Sequence, residues 1–227
     1  MPQNGIHAVA GIAARKWMPN KEWLLLGVVL GNMFPDLDNL AVAYATLAKL
    51  PDPESYHRTF THSIFTIVAM VILFYVVAAV ARNQKWNNFG TGFGIGILMH
   101  ILLDLVAWFN GVPLLWPLNT TELNFWNWFV TPAWLKIFLD TGEFLAFSLY
   151  FLLLGSLSRK HNTDTVRIPT LRTWAYVQFV LFALFTILFF SIGTKGLHYT
   201  IFGALYLISL IAAMILTIRM RNTVEIV

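Results

Sequence analysis

The 227-residue chain has no cysteine, and Asp, Glu, Lys and Arg together make up only 11% of it. Without thiols, disulfide frameworks and thiolate metal sites are excluded, so any metal must be held by histidine and carboxylate. Soluble domains carry roughly a quarter charged residues, and the shortfall excludes a water-solvated enzyme, a coiled coil and a disordered chain. Met1-Pro2-Gln3-Asn4 lacks the basic stretch that opens a cleavable signal peptide, so the first spans are expected to target the chain themselves. No repeat, low-complexity tract or soluble domain stands out.

The abundant material is apolar: 58% hydrophobic and 15% aromatic residues. A hydrocarbon core of about 30 Å needs about 20 apolar residues per spanning helix. Ser63–Ala81, Phe89–Phe109, Ile137–Leu157, Thr173–Gly193 and Thr200–Ile218 meet that requirement. Gly5–Trp17 and Glu22–Phe34, separated by Pro19-Asn20, are too short to span alone. They are expected to form a helical hairpin that enters the bilayer part way or packs against the longer helices. The expected fold class is all-α, a polytopic membrane helical bundle of five full spans plus this short hairpin. It reads as a single membrane domain over 1–227, with the motifs in 5–120 and the C-terminal spans in 137–218.

Basic residues orient the chain. If the spans alternate, eleven fall on one side: Arg15, Lys16, Lys21, Arg82, Lys85, Arg159, Lys160, Arg167, Arg172, Arg219 and Arg221. Lys49, Arg58, Lys136 and Lys195 fall on the other. The positive-inside rule places the larger set in the cytoplasm, and Asn110–Lys136 outside. Trp116, Trp126, Trp128 and Trp134, with Trp108 just before them, suit an interfacial belt there. The net charge of +4 then belongs to cytoplasmic loops and gives no reason to expect nucleic acid.

Ionisable groups in membrane helices are costly and by default functional, and here they are clustered. Pro35-Asp36-Leu37-Asp38 ends the second short helix, Pro35 enforcing the break. His57-Arg58-Thr59-Phe60-Thr61-His62-Ser63 leads into the next span, and His100 and Asp104 share one helix face at i,i+4. Alternating spans bring all of these, with His7, to one level in the outer half of the membrane. Histidine and carboxylate without cysteine suit zinc, manganese or iron. The ligand set His7, Asp36, Asp38, His57, His62, His100 and Asp104 exceeds one catalytic ion and suits two, a recurrent device for phosphoester hydrolysis.

Each part also has a plainer reading. His7 is compatible with a polar helix start, Asp36 and Asp38 with helix caps, and His57 and His62 with interfacial histidines. Arg58 suits a phosphate oxygen but equally a lipid headgroup or a structural ion pair. Asp140 and Glu143, at i,i+3, are candidates for an extra ligand, a supporting partner or a general base. Glu54 and Glu122 are outer-loop acids, and His161 and His198 read as structural or solvated.

The early His7, the Gly27-x-x-x-Gly31-x-x-x-Pro35-Asp36-x-Asp38 segment, His57-Arg58-x-x-Thr61-His62-Ser63, His100-x-x-x-Asp104 and Leu114-Leu115-Trp116-Pro117 resemble the YdjM-like family. Its members are described as LexA-regulated, inner-membrane, metal-dependent hydrolases. The match covers residues 5–120 in order; the C-terminal spans carry no matching motif. The family is also similar, distantly, to zinc-dependent phospholipase C and P1-type nucleases, which hold metal clusters with His-x-x-x-Asp helices. The resemblance implies a bacterial inner-membrane location and phosphoester hydrolysis.

The expected function is a membrane-embedded hydrolase of a lipid or lipid-linked phosphoester, with the site toward the non-cytoplasmic side. Two or more divalent ions, zinc or else manganese, would acidify a water for attack on phosphorus. Asp38 or another nearby carboxylate would accept a proton, Arg58 would bind the phosphate, and His62 would complete the catalytic group. The rival is a metal-ion or proton-coupled transporter, since a His-x-x-x-Asp helix also resembles the intramembrane zinc site of cation-diffusion transporters. Transport calls for polar residues along a path to the cytoplasm, and inward of His100 the span offers only glycines, Thr91 and apolar residues. Those glycines (Gly90, Gly92, Gly94, Gly96) suit close helix packing. A structural metal site in a scaffold protein is the third reading.

Overall fold

The computed structural model describes residues 4–107 and 111–226. Trp108, the end of the Phe89–Phe109 span and the side chain of Glu54 lie outside the described residues. The helices in chain order are α1 (Asn4–Ala13), α2 (Leu24–Met33), α3 (Asn39–Leu47), α4 (Ile64–Ala81), α5 (Lys85–Ala107), α6 (Ala133–His161), α7 (Ile168–Ile192), α8 (Leu197–Arg219) and α9 (Arg221–Val224). Short 3-10 turns lie between them at Pro35–Asp38, Pro53–Tyr56 and Phe60–His62. Among the described residues the only extended pairing is an isolated bridge between Val112 and Leu123.

Five helices are long and apolar enough to cross a membrane: Ile64–Ala81, Lys85–Ala107, Ala133–His161, Thr165–Ile192 and Leu197–Arg219. Leu24–Met33 and Pro35–Leu47, bent by 40°, form a further candidate if taken as one span. The all-helical, polytopic fold class expected from the sequence is therefore found. Most of the helices outrun their apolar stretches; α6 begins at Ala133 and continues through Arg159-Lys160-His161. Backbone hydrogen bonding continues past the apolar run, and cations suit the last turn.

The described chain divides into two compact units, residues 4–9 with Thr131–Ile226, and Ala10–Val130. In the second unit all ten residues of α2 are buried, because glycines let it approach α5 closely. A Cβ on Gly31 would lie 2.8 Å from the Phe93 carbonyl carbon, and one on Gly96 would lie 2.6 Å from the Asn32 amide nitrogen. Gly94, two residues before Gly96, instead faces α4, where a Cβ would meet Val71 at 2.5 Å. Small residues at such crossings gain packing that lipid cannot supply. The opposite face of α4 stays open, with Val68, Ile72, Val76 and Val80 exposed, as a lipid-facing span requires.

In the first unit α6, α7 and α8 share buried polar pairs. Tyr150 meets Thr217 at 2.5 Å, Gln178 Nε2 donates to Ser209 at 2.9 Å, and Ser148 donates to the Ala175 carbonyl at 2.9 Å. Glu143, almost fully buried, accepts from the Gly5 amide at 2.9 Å. That contact satisfies a free N–H in the first turn of α1 with the charge sign that a helix N-terminus favours. Asn4 Nδ2 reaches the Tyr206 hydroxyl at 3.0 Å.

Candidate metal centre

The close approach of α2 and α5 fixes the first ligand. His100, one turn beyond Gly96, donates from Nδ1 to the Asn32 carbonyl oxygen at 2.8 Å. A carbonyl only accepts, so Nδ1 carries the proton and Nε2 presents a lone pair. His62 Nε2 lies 3.1 Å away. Its ring is tethered from the other side, with Nδ1 3.1 Å from the Thr61 hydroxyl and 3.4 Å from Asp38 Oδ2. Thr61 gives its own hydrogen to Asp38 Oδ2 at 2.8 Å, so His62 also donates from Nδ1. Two imidazole lone pairs at that separation repel unless a proton or a metal ion lies with them.

Two carboxylates complete the group. Asp104 Oδ2 is 3.6 Å from His62 Nε2 and 3.8 Å from His100 Nε2. Asp36 Oδ1 is 3.7 Å and 3.6 Å from the same nitrogens. All four residues are fully buried. Donors bound about 2.1 Å from one tetrahedral zinc ion stand roughly 3.4 Å apart, so His62, His100 and Asp104 could hold a divalent ion, with Asp36 close to both imidazoles. Both Asp36 oxygens are buried without a hydrogen-bond partner among the described residues, as befits a ligand and not a structural carboxylate. Burial opposes charging of His62, but Asp104, Asp36 and Asp38 outweigh it and hold its pKa well above the ordinary histidine range. The field that favours a proton there favours a cation.

Asp38 has a different surrounding. Its Oδ1 accepts from His57 Nδ1 at 2.7 Å, and its Oδ2 from the Arg58 amide and the Thr61 hydroxyl, each at 2.8 Å. Asp38 makes no side-chain cap on α3; it organises the 57–62 turn. His57, tied by Nδ1, leaves its buried Nε2 without a hydrogen-bond partner among the described residues. Ligand atoms of Asp36, Asp38 and His57 lie within 4.8 Å of one another, a second grouping beside that of His62, His100 and Asp104. A carboxylate holding a histidine by its far nitrogen is the usual support of a metal ligand.

Arg58 takes a positive φ of 59°, a costly conformation for a non-glycine residue. It is held there by the hydrogen bond that its backbone N–H donates to Asp38, and its Nε lies 3.5 Å from Asp104 Oδ2. Its Nη2 is buried with no hydrogen-bond partner among the described residues. A cation thus stands at the edge of the carboxylate cluster with donor capacity to spare.

Signals that the sequence reading missed explain the rest of the motif. Ser63 donates to the Trp116 carbonyl at 2.7 Å and caps α4 by accepting from the Phe65 amide at 3.1 Å. The Ile64 amide donates to the Leu114 carbonyl at 3.0 Å. Leu114-Leu115-Trp116-Pro117 therefore clamps the residue that follows His62. His7 is buried on α1 in the first unit, with Asp140 and Glu143, whose α6 belongs to the same unit. Glu122 lies over Gly111, His198 Nε2 is 2.7 Å from the Gly193 carbonyl, and His161 ends α6.

This arrangement, reached from geometry, coincides with a match to the YdjM inner membrane protein family over residues 4–223. The chain belongs to that family. As a YdjM family member with five apolar spans it is a multi-pass membrane protein. It is also similar to the uncharacterized protein YvsG of Bacillus subtilis (strain 168), 28% identical over 130 residues that cover 55% of this chain and 76% of YvsG. No solved structure matches the chain.

Proposed function

We propose that this YdjM family protein is a membrane-embedded, metal-dependent hydrolase acting on a phosphoester in a lipid or lipid-linked substrate. The observation that carries the reading is the meeting of His62 and His100 through their Nε2 lone pairs, ringed by Asp36 and Asp104, with Arg58 beside them. One divalent ion, zinc or manganese, would be held by those two histidines and two aspartates. A second would be held by His57 and Asp36, beside Asp38. Ions so placed supply Lewis acidity and a nucleophile at neutral pH.

The protein's own groups supply the remainder. Asp38 and Thr61 fix the imidazoles of His57 and His62, and the Asn32 carbonyl fixes His100. Arg58 would receive a phosphate oxygen through its spare Nη2, a pairing specific to an anionic substrate. A buried site among apolar helices suits a substrate whose tail stays in the bilayer, and the positive-inside count puts it in the outer leaflet. Passage of ions between α2 and α5 is disfavoured by their contact, where a Cβ on Gly92 would lie 3.0 Å from the Val28 amide nitrogen. His7 enters on sequence grounds as a further ligand and is tested by its own variant.

The test is elemental analysis of detergent-purified protein, wild type beside His100→Ala, Asp104→Ala and His7→Ala. Two zinc or manganese ions per chain are expected by analogy with other two-metal phosphoesterases, lost in the His100 and Asp104 variants. Hydrolysis of phospholipids and polyprenyl phosphates would then be screened against the same proteins. A wild type that takes up no ion, even after reconstitution, overturns the reading.

A further inference from the structure

A groove of about 540 Å³ lies on the first unit between α6 and α7, away in sequence from every residue of the metal centre. Its two ends differ. Arg159, in the last turn of α6, and Arg172, in the second turn of α7, line one end. Neither guanidinium has an ion-pair partner among the described residues. Asp164, in the connection between them, is turned elsewhere, accepting from the Thr223 amide and from Asn222 Nδ2, each at 2.9 Å. From the arginines the groove runs over Phe151, Leu171 and Phe179. It extends from Arg159 to Ser148 along α6, which at about 1.5 Å per residue is about 16 Å, half of a hydrocarbon core of about 30 Å. The floor at Gly155 is open; a Cβ there would meet only Leu171 Cδ1, at 3.7 Å.

We propose that this groove binds one anionic glycerophospholipid, its phosphate at Arg159 and Arg172 and one acyl chain along the exposed Leu152, Tyr176 and Phe179. Charge at one end only, an apolar track one leaflet long and no acid along the lining select that occupant over a peptide or a zwitterionic lipid. Arg159 by itself would be explained as a cation complementing a helix C-terminus. Arg172 lies near the N-terminal end of its helix, where the dipole disfavours a cation, so the helix dipole does not account for the pair.

Binding of phosphatidylglycerol is measured by native mass spectrometry of the full chain in detergent. Wild type is expected to hold one phosphatidylglycerol at concentrations where phosphatidylcholine does not bind. Arg159→Gln with Arg172→Gln is expected to weaken it at least about tenfold, while Lys160→Gln, outside the lining, leaves it unchanged. Gly155→Leu, favoured by helix propensity, is expected to block the track with both arginines intact, and it carries the test should the double variant not stay monodisperse. Equal binding of the two lipids, or full binding by Gly155→Leu, overturns the proposal. Displacement by millimolar glycerol 1-phosphate would mark a free phosphate site and overturn it too.

Discussion

His100 gives its Nδ1 proton to the Asn32 carbonyl oxygen at 2.8 Å, so a backbone atom at the end of α2 decides which nitrogen α5 offers to a metal. The bond exists because Gly92 and Gly96 let the two helices touch. Gly96→Ala therefore acts in two ways. It would raise helix propensity by about 1 kcal/mol, yet its Cβ would lie 2.6 Å from the Asn32 amide nitrogen. Overpacking of this kind costs about 1–3 kcal/mol, so a lowered melting temperature and a lowered metal content are expected together. Gly203→Ala, where a Cβ meets nothing within 4 Å, should be neutral or stabilising. Thermal unfolding of both in detergent decides whether the contact sets the site.

Asp38 holds both tethered histidines of the 57–62 turn, its two oxygens taken up by hydrogen bonds from His57, the Arg58 amide and Thr61. Asp38→Asn keeps the shape but puts a donor where an acceptor is needed. Loss of such a supporting carboxylate typically weakens metal binding about 10–100-fold, with full occupancy regained at high metal. Asp104→Asn should instead reduce the number of ions bound at saturation. Competition titration with a chelating dye separates the two, and unchanged affinity in Asp38→Asn would remove its orienting role.

The buried His/Asp cluster is easier to find in the sequence than its support. Histidine and aspartate within apolar runs are conspicuous because burial makes them expensive, which is why Asp36, His62, His100 and Asp104 stood out. The five spans were legible for the same reason, since a long apolar run has few alternatives. What supports the site is carried largely by backbone atoms: the carbonyls of Asn32, Leu114 and Trp116, and the amide of Arg58. Every residue has these groups, so no residue type signals their use. Asp38 shows the same limit, because a supporting carboxylate and a ligating one are the same letter. Glu143 does too; its bond to the Gly5 amide joins positions far apart in the chain.

Ser63 makes the clamp testable. Its hydroxyl caps α4 and also reaches the Trp116 carbonyl. Ser63→Ala removes a cap worth about 1 kcal/mol and leaves a carbonyl short of a partner, for a total near 1–2 kcal/mol. Ser63→Thr keeps the hydroxyl and should recover most of it. Urea or thermal unfolding gives the difference, and a loss of only a few tenths in Ser63→Ala would show that the clamp does not hold the turn.

The raised pKa of His62 predicts how pH acts on the site. In metal-free protein the protonated imidazole pairs with Asp36, Asp38 and Asp104. The folded value exceeds the unfolded one, so this stabilisation is complete below the unfolded histidine range and is lost as pH rises through the folded value. A metal ion must displace that proton. Apparent affinity should therefore climb by up to about tenfold per pH unit until the folded value is passed, then level off. His62→Gln, with no proton to displace, should show a flatter profile at lower affinity. Calorimetric titration in buffers of different ionisation enthalpy would count the released proton; none released at neutral pH would contradict the assignment.

The absence of cysteine makes the orientation directly measurable, because any single cysteine introduced is a clean reporter. Asn119 and Thr165 are both exposed and flank α6, one candidate span, so they must lie on opposite sides of the bilayer. The positive-inside rule predicts that Thr165 faces the cytoplasm. A membrane-impermeant maleimide should then label Asn119→Cys in intact cells and Thr165→Cys only after permeabilisation. The reverse pattern would move the groove arginines Arg159 and Arg172 to the outer leaflet, where anionic headgroups are fewer, and would turn the mouth of the 57–62 turn toward the cytoplasm. The labelling thus fixes the side of the membrane on which the His62/His100 cluster opens, and with it the leaflet in which the proposed substrate is to be sought.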